Sequence, residues 1–555
     1  MKKLWKKLLA VTTAMMMAIT LLPAMVNATG TEIEPPAPTI DYTKKGSITI
    51  KKTTGVKNDE VKALNGAEFT LYRIVELTAD STEESDLAVS VTVGNKTYSK
   101  IKDILNLSEA GQKSVASAFA SKVTPTQKVG DAIETATTVD GQDGIAKFTN
   151  LGVGYYLVVE TKTPTDLTGK TKYVASTPFF VAIPQANTTT KFGETATSPT
   201  TSWVYDVVAT PKNEEVTIGK KISNINNTKT EAKNKQKATV KVGDKVEYTI
   251  TSISPKYTDE YFAYTDANKL PVYKITDTLS KGLGYQNDIL VKIGETTLQE
   301  GTDTDKDYTL SKITNEDSST TIIITFTQKF LKTEEYKGKE VIVTYTAEVL
   351  QSAEITDPNT NEVRLDYTNK PGEEAKGIPG DTPKVYTYAL NVHKKDNSNT
   401  SLKDAKFKLY SVTKNESGEN VYTQIKNLKD MDDNGVIATD SEGNLTLSGL
   451  NVGDYALEEV EAPAGYTLLK DKIFFSISDS NIDGRLDDVT KESTISNVKD
   501  EKGNNTGYVQ MEVVNNKGFN LPATGGMGTY LFTIGGLVIM AGAALLLIAS
   551  KKRRA

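Results

Sequence analysis

The sequence predicts an all-β protein made of β-sandwich domains in tandem. Short alternating runs of apolar and polar residues, separated by Gly, Asn and Asp turns, continue from Gly46 almost to residue 515. Tyr far exceeds Trp, at 25 residues against 2, and Thr and Val are abundant, which is typical of strands. Segments 64–72 and 151–160 recur at 402–410 and 450–459, so the first and last domains share one fold.

The N-terminus has the features of a secretion signal. Lysines at positions 2, 3, 6 and 7 precede an apolar segment from Leu8 to about Leu22. Val26-Asn27-Ala28 then supplies the small residues of a signal-peptidase site. We therefore predict a signal peptide over 1–28 and a mature chain from Thr29. A retained anchor is the alternative, but the apolar segment is short for one.

The mature chain is long enough for several domains. We predict β-sandwiches at 29–213, 214–385 and 386–520, followed by a terminal segment at 521–555. Residues 371–383 are rich in Gly, Pro and charge, which is typical of a linker before the last domain. A helical stretch from about Lys100 to Lys122 is expected as an insertion in the first domain.

The composition excludes several classes of function. The terminal signals contain eight of the 65 cations and no acid, so the rest of the chain has 57 cations against 71 acids and a formal charge of −14. A chain this acidic is a poor nucleic-acid binder. The single histidine, His393, is expected on the outward face of a strand, and no metal or cofactor is expected. Because there is no Cys, the exported chain must gain strength without disulfides, or do without it.

Each predicted domain begins with a strand whose lysine is in phase with its apolar residues. The three runs are Ile48-x-Ile50-x-Lys52, Val216-x-Ile218-x-Lys220 and Leu390-x-Val392-x-Lys394. Because side chains alternate along a strand, each lysine should point into the core. An unpaired ammonium there is very costly, so we expect the amine to lose its proton.

A carboxyl group and an asparagine at a strand end follow each lysine. The acids are Glu160, Asp277 and Glu459, and the asparagines are Asn213, Asn369 and Asn515. A buried, neutral carboxylic acid can polarise the asparagine carbonyl while a neutral lysine attacks it. The product is an isopeptide bond, with ammonia released. We therefore predict the crosslinks Lys52–Asn213, Lys220–Asn369 and Lys394–Asn515, each formed once within the chain.

The choice between adjacent residues stays open at this level. Lys51, Lys221, Lys395 and Asn516 are near-equivalent candidates. The alternative to the whole pattern is a set of ordinary polar residues at strand ends. Three domains with the same order of lysine, acid and asparagine favour crosslinking.

The C-terminus carries a three-part signal. Its parts are Leu521-Pro522-Ala523-Thr524-Gly525, an apolar run from about Thr529 to Ser550, and four cations at 551–554. The run is long enough for a membrane-spanning helix, with the cations on the cytoplasmic side. This order resembles the LPxTG cell-wall sorting signals of Gram-positive bacteria. The resemblance implies a sortase that cuts after Thr524 and holds its carbonyl as a thioester; an ordinary single-pass anchor is the alternative.

The domains resemble the collagen-adhesin repeat domains of Gram-positive surface proteins. Tyr455-x-Leu457-x-Glu459, followed by Ala462-Pro463-Ala464-Gly465-Tyr466, is similar to the E-box of the B-type domain. In the first domain the box is reduced to Tyr156 and Glu160, with no Gly-Tyr pair. The middle domain resembles the A-type, in which an Asp is the catalytic carboxyl. The resemblance implies immunoglobulin-like sandwiches in the order B-type, A-type, B-type.

A second nucleophile lies just before the first domain boundary. The run from Trp203 to Lys212 resembles the pilin motif of sortase-assembled pili, with matches at Trp203, Val207, Pro211 and Lys212. Lys212 should be exposed at a strand end, where Pro211 breaks strand pairing. Its amine would attack the Thr524 carbonyl of another copy, which gives a head-to-tail contact that grows a fibre. The alternative is an ordinary lysine in an interdomain turn.

Together these resemblances imply a major shaft pilin on the surface of a Gram-positive bacterium. The implied partners are other copies of the chain, a class C sortase, a housekeeping sortase that joins Thr524 to peptidoglycan, and tip and basal minor pilins. Host surface ligands are also considered, and nucleic acid is not. The chain is expected to be a building block and not an enzyme, apart from its own crosslinking. The alternative is a monomeric wall-anchored adhesin or minor pilin, which would have no need of Lys212.

Overall fold

The computed structural model describes residues 39–54, 61–105, 107–138, 141–164, 172–187, 202–229, 236–303, 305–488, 494–518 and 527–552. The predicted signal peptide lies outside these residues. The chain divides into two compact units. The first contains the chain up to Ala238, Gly243–Leu350 and Asn359–Lys384, and the second contains Thr239–Val242, Gln351–Pro358 and the chain from Val385 onward. The first unit therefore includes most of both the first and the middle predicted domains.

The first domain is a β-sandwich with a helical insertion. Its strands are β1 (Gly46–Lys51), β2 (Thr53–Thr54), β3 (Glu68–Glu76), β4 (Asp86–Val93), β5 (Lys96–Lys100), β6 (Ile133–Glu134), β7 (Ile145–Leu151), β8 (Gly154–Lys162), β9 (Lys172–Val174), β10 (Phe179–Ile183), β11 (Gln185–Asn187), β12 (Ser202–Val204), β13 (Asp206–Ala209) and β14 (Lys212–Val216). Its helices are α1 (Ile101–Leu105) and α2 (Glu109–Ala120), with a 3-10 turn at Pro125–Gln127. The insertion predicted near 100–122 is confirmed.

Two sheets of this domain enclose the core that surrounds the candidate site. One has the order β13-β1-β7, with β1 and β13 parallel, and the other has the order β10-β8-β3-β6. Ile48 and Ile50 from the first sheet pack with Phe69 and Val158 from the second. The outer face of the second sheet is covered by the insertion, because Phe119 of α2 belongs to a separate buried cluster on that face. Strand β8 is therefore apolar on both faces.

The middle domain is a sandwich of two larger sheets. Its strands are β15 (Ile218–Ile225), β16 (Thr228–Lys229), β17 (Lys237–Thr239), β18 (Lys245–Ile253), β19 (Tyr273–Leu279), β20 (Leu283–Tyr285), β21 (Leu290–Ile293), β22 (Thr296–Thr297), β23 (Tyr308–Thr314), β24 (Thr320–Phe326), β25 (Glu340–Val349), β26 (Asn359–Tyr367), β27 (Lys376–Pro379) and β28 (Lys384–Tyr386). Helix α3 (Gln328–Lys332) and 3-10 turns at Asp259–Phe262, Ala267–Lys269 and Glu334–Tyr336 join them. The sheet orders are β16-β15-β18-β25-β21-β22, with β20 on β25, and β17-β28-β26-β19-β24-β23, with β27 on β26.

The last domain repeats the plan of the first. Its strands are β29 (Tyr388–Asp396), β30 (Lys406–Lys414), β31 (Asn420–Ile425), β32 (Val436–Ala438), β33 (Asn444–Leu450), β34 (Gly453–Glu461), β35 (Ile473–Ile477), β36 (Ile495–Lys499) and β37 (Asn505–Asn515). The sheets run β33-β29-β37-β36 and β31-β30-β34-β35, with β32 on β30. The predicted repeat is visible in the register, since Phe69 pairs with Glu160 and Phe407 pairs with Glu459.

The C-terminal tail contains the helix α4 (Met527–Lys552), which falls on the predicted spanning segment. Among the described residues, no helix is long and apolar enough to cross a membrane. The spanning role of this segment stays a prediction.

Candidate crosslinking sites and the sorting lysine

The first domain brings its predicted lysine, acid and asparagine together in the core. Lys52 and Asn213 have no exposed surface, and Glu160 is buried as well. The Lys52 Nζ donates to Glu160 Oε2 at 2.9 Å, and Asn213 Nδ2 donates to Glu160 Oε1 at 2.9 Å. Burial lowers the pKa of Lys52, although the attraction of Glu160 opposes this shift. Burial therefore favours the neutral form of this amine.

Parallel strand pairing aligns these groups. Lys52 lies directly before β2, whose Thr54 pairs in parallel register with Asn213 of β14. Glu160 comes from β8 in the facing sheet. The lysine and the asparagine therefore lie on neighbouring strands near the start and the end of the domain, and the acid reaches both from across the core.

The last domain assembles the same groups. Lys394 on β29 and Asn515 on β37 lie on neighbouring parallel strands, with Lys394 paired to Val513. Asn515 Nδ2 donates to both oxygens of Glu459 at 2.9 Å, while Lys394 Nζ lies 3.9 Å from Glu459 Oε1. Burial lowers the pKa of Lys394 to about 8.

Two glycines that the sequence reading missed sit against the backbone of these lysines. A Cβ on Gly144 would lie 2.5 Å from the Lys52 carbonyl oxygen, and one on Gly443 would lie 2.4 Å from that of Lys394. Both have positive φ, +75° and +76°. Their equivalent positions in the repeat are the signal that could have identified them.

The middle domain builds its site differently. Lys220 Nζ contacts Asp277 Oδ1 and donates to the Tyr345 hydroxyl at 3.0 Å. That hydroxyl donates to Asp277 Oδ2 at 2.8 Å and accepts from Asn361 Nδ2 at 2.6 Å. Burial lowers the pKa of Lys220 to about 8 and raises the pKa of Asp277, and attraction between the two charges opposes both shifts. The buried pair thus shifts toward its neutral forms.

Asn369, the predicted partner of Lys220, is placed elsewhere. It is buried beyond the end of β26, and its backbone carbonyl accepts from the Tyr261 hydroxyl at 3.0 Å and from the Ala175 N–H at 3.0 Å. The asparagine that the structure brings to the Lys220 network is Asn361. Asn361 and Asn369 both lie an even number of residues from Val363, so the alternation of side chains predicts the same face for both and cannot distinguish them. Eight residues of extended chain, roughly 26 Å, divide the two positions.

Burial distinguishes the adjacent candidates that the sequence left open. Lys51 and Asn516 are exposed, and Lys221 and Lys395 are partly exposed, whereas their neighbours in the three sites are buried. Lys395 instead pairs with Glu512 at 2.7 Å. His393 is partly exposed and contacts the Ser401 hydroxyl at 3.2 Å, which agrees with its expected outward position.

The predicted sorting lysine lies at the surface. Lys212 is the exposed first residue of β14, and Pro211 before it is buried. Val207 is buried in the first-domain core, and Trp203 packs against that core. The residues of the sorting pentapeptide, Leu521 to Gly525, lie outside the described residues. Within the described part of the chain, no cluster of acidic or histidine side chains could hold a metal ion.

Family models match most of the chain. The Gram-positive pilin subunit D1, N-terminal domain, matches residues 20–214, and the Gram-positive pilin backbone subunit 2, Cna-B-like domain, matches 242–371. The SpaA prealbumin-like fold domain matches 389–492, and the LPXTG cell wall anchor motif matches 513–555. Together these models span most of the chain, which is therefore similar to the Gram-positive backbone pilins. It is a structural subunit of a cell-wall-anchored surface pilus.

Relatives and solved structures agree with this family. The pilin is 26% identical to fimbrial subunit type 1 of Actinomyces viscosus over 96% of this chain and 95% of that one. It is 28% identical to fimbrial subunit type 2 of Actinomyces naeslundii, over 60% of this chain and only 61% of the relative's length.

Two solved structures share the fold. The major pilin SpaD from Corynebacterium diphtheriae has a TM-score of 0.54 at 22% identity, over 87% of this chain and 99% of that one. The T6 backbone pilin of serotype M6 Streptococcus pyogenes has a TM-score of 0.50 at 17% identity, over 79% and 81%. These likenesses support the predicted tandem immunoglobulin-like all-β fold.

Proposed function

We propose that a class C sortase polymerises this pilin head to tail, by joining Thr524 of one subunit to Lys212 of the next. The observation that carries the proposal is the position of Lys212, an exposed amine directly after the buried Pro211 at the start of β14. An enzyme-bound Thr524 thioester needs an accessible amine on a firmly held strand. A housekeeping sortase would then join the last Thr524 to peptidoglycan, and minor pilins would occupy the tip and the base.

We further propose that each domain closes an internal isopeptide bond. The bonds are Lys52–Asn213, Lys220–Asn361 and Lys394–Asn515. In each, the lysine Nζ attacks the asparagine Cγ, and Nδ2 leaves as ammonia with a proton that comes from Nζ. The asparagine amide first rotates by half a turn, so that its oxygen faces the acid. The neutral acid then donates a hydrogen bond to that oxygen. The acids in this role are Glu160, Asp277 and Glu459, and Asp277 acts through the Tyr345 hydroxyl that lies between it and Asn361.

Asn361 replaces Asn369 in this proposal because of the contacts around Tyr345. One hydroxyl connects Lys220, Asp277 and Asn361, so the nucleophile, the acid and the amide share a single hydrogen-bonded centre. The amide oxygens of Asn361, Asn213 and Asn515 have no hydrogen-bond partner within the described residues, but the same holds for Asn369, so the choice rests on the contacts around Tyr345.

The internal bond of the first domain also supports the proposed fibre. Asn213 follows Lys212 directly, and its bond to Lys52 ties β14 to the beginning of the domain. A pulling force that entered the subunit through Lys212 would therefore pass into a covalent closure rather than unzip the strand.

The polymerisation proposal is tested in wall extracts of the native host, boiled in detergent and blotted. We expect a high-mass ladder from the wild type that collapses to monomer in Lys212→Ala. Lys51→Ala removes an exposed lysine of the same domain and should leave the ladder unchanged. A ladder that survives Lys212→Ala would move the acceptor to another lysine. No ladder in either strain would favour the monomeric adhesin or minor pilin.

The internal bonds are tested by intact mass spectrometry of the recombinant exported chain. We expect a mass lower than the sequence mass by three ammonia molecules, and by two in each of Glu160→Ala, Asp277→Ala and Glu459→Ala. An unshifted wild-type mass would refute the crosslinks and leave the polymerisation proposal standing.

A further inference from the structure

We propose that the middle domain completes the crosslinking site of the first domain, by holding the segment Tyr173–Ser176 whose Ser176 positions Glu160. This inference rests on the proposed isopeptide bond between Lys52 and Asn213. It assigns Ser176 a positioning role in that reaction, and it makes the docking of one domain a condition for the bond in its neighbour.

Ser176 contacts the acid directly. Its backbone N–H and its hydroxyl both donate to Glu160 Oε2, each at 2.7 Å. The Lys52 amine donates to that same oxygen, while Oε1 has the amide of Asn213 at 2.9 Å. Oε2 thus accepts three hydrogen bonds, and Oε1 is the oxygen that faces the amide to be attacked. The proposed reaction uses the acid with its proton on Oε1.

The order of proton transfers follows from this assignment. Glu160 Oε1–H polarises the amide oxygen of Asn213 as Lys52 Nζ adds to Cγ. Oε2 then accepts the proton that Nζ loses, and the acid returns a proton to Nδ2 as the C–N bond breaks and ammonia leaves. One acid thus acts at both ends, and the donors from Ser176 keep its two oxygens in their separate roles.

The middle domain holds the segment that carries Ser176. The Ala175 N–H donates to the Asn369 carbonyl at 3.0 Å, and the Tyr367 hydroxyl donates to the Tyr173 carbonyl at 3.3 Å. Tyr261 donates its hydroxyl to the Asn369 carbonyl at 3.0 Å, which fixes that acceptor. Tyr173 and Ala175, the latter directly before Ser176, are thereby tied to the middle domain.

The strand that bears the acid is held from the same side. Lys370 Nζ donates to the carbonyl of Thr161, the residue after Glu160, at 2.6 Å. The segment also pairs with β14, because Val174 is opposite Glu214 next to Asn213. The middle domain therefore contacts both the segment that carries Ser176 and the strand that carries Glu160.

The last domain needs no such help. There the Leu469 N–H donates to Glu459 Oε2 at 2.8 Å, from the chain that follows Gly465-Tyr466 in the same domain. The first domain lacks that Gly-Tyr pair. A donor held by the middle domain takes its place, and this contrast separates the two sites that otherwise share one plan.

The test uses the full exported chain and follows the Lys52–Asn213 crosslinked peptide with time, relative to the Lys394–Asn515 peptide in the same digest. Ser176→Ala should slow the first bond by about tenfold, and Ser176→Thr, which restores a hydroxyl, should recover most of the rate. Lys370→Ala and Tyr261→Phe should slow it a few-fold. The control Lys312→Ala removes contacts with Asn287 and Tyr285 inside the middle domain and should change nothing.

A variant that lacks the acid distinguishes the positioning role of Ser176 from a purely structural one. In Glu160→Ala, Ser176→Ala should leave the unfolding midpoint of the first unit unchanged, because Ser176 has no carboxylate to hold. A lower midpoint in that background, or wild-type crosslinking rates in Ser176→Ala and Lys370→Ala, would overturn the inference. No Lys52–Asn213 peptide in the wild type would refute the proposed bond itself, and this inference with it.

Discussion

The middle domain and the two outer domains place the same three groups on different parts of a sandwich. In the last domain Lys394 and Asn515 belong to one sheet, and the acid comes from the facing sheet. In the middle domain Lys220 is on one sheet, and Asp277 and Asn361 lie on neighbouring strands of the other. An outer bond would join the first and last strands side by side, whereas the middle bond would tie two sheets together.

The difference explains the choice of residues around each acid. Across the outer cores a long Glu side chain reaches Lys and Asn on neighbouring strands directly. In the middle domain Asn361 and Asp277 both hydrogen-bond to the Tyr345 hydroxyl, which comes from the lysine's sheet. That hydroxyl makes one donor bond and accepts two, which uses its full capacity. The proposed reaction needs the lysine, the acid and the asparagine close together, and a β-sandwich can bring them together in more than one way.

The largest expected effect comes from breaking the middle bond at its acceptor. Asn361→Ala should release one ammonia molecule fewer than the wild type, because the Lys220 crosslink cannot form. It should also lose about 5 kcal/mol of unfolding free energy, because the loop between Lys220 and its partner is no longer closed by a covalent bond. Intact mass and thermal unfolding check both. The matched control is Asn369→Ala, which should keep the wild-type mass. The reverse pattern would restore Asn369 as the acceptor.

A nearly equal effect is expected when an outer bond is removed at its lysine. Lys394→Ala should abolish the crosslink of the last domain and destabilise that unit by about 5 kcal/mol. Lys395→Ala, which removes only an exposed-side ion pair with Glu512, should keep the bond and cost less than about 1 kcal/mol. Peptide mapping distinguishes the two, and a retained bond in Lys394→Ala would exclude it as the nucleophile.

A smaller effect should be confined to the middle domain. Tyr345→Phe leaves Asp277 and Asn361 without their shared hydroxyl, so we expect the Lys220–Asn361 bond to form about a hundredfold more slowly, equivalent to about 3 kcal/mol in the barrier. The outer bonds should form normally. Tyr285→Phe is the control, because the Tyr285 ring packs edge-on against Tyr345. Equal rates in both variants would remove Tyr345 from the site.

The smallest expected effect is a dependence on pH. Burial lowers the pKa of Lys220 from 10.5 to about 8, so its protonated form destabilises the fold below that pH. In an Asn361→Ala background, Lys220→Met should therefore stabilise the pilin near neutral pH by on the order of 2 kcal/mol. The gain should shrink as pH rises from about 8 to 10.5, where the unfolded lysine also loses its proton. A gain that is constant with pH would contradict the buried, depressed lysine.

Much of the outer domains could be predicted from the sequence. The spacing of two residues places Lys52 and Lys394 in phase with their apolar neighbours, and the repeat assigns equivalent acids to both domains. The structure places Lys52, Glu160 and Asn213 in contact, as the pattern predicts, although the E-box of the first domain is incomplete.

The tertiary structure alone decided the remaining points. Asn361 and Asn369 share one strand phase, and only the pairing of β26 with β19 places Asn361 beside the Lys220 network. Tyr345 reaches its acid from a strand 68 residues away, and Ser176 reaches Glu160 from the loop after β9, so no strand spacing marks them. Periodicity fixes which face of a strand a side chain takes. The position along that strand at which it meets another depends on sheet packing, which is set by the whole core.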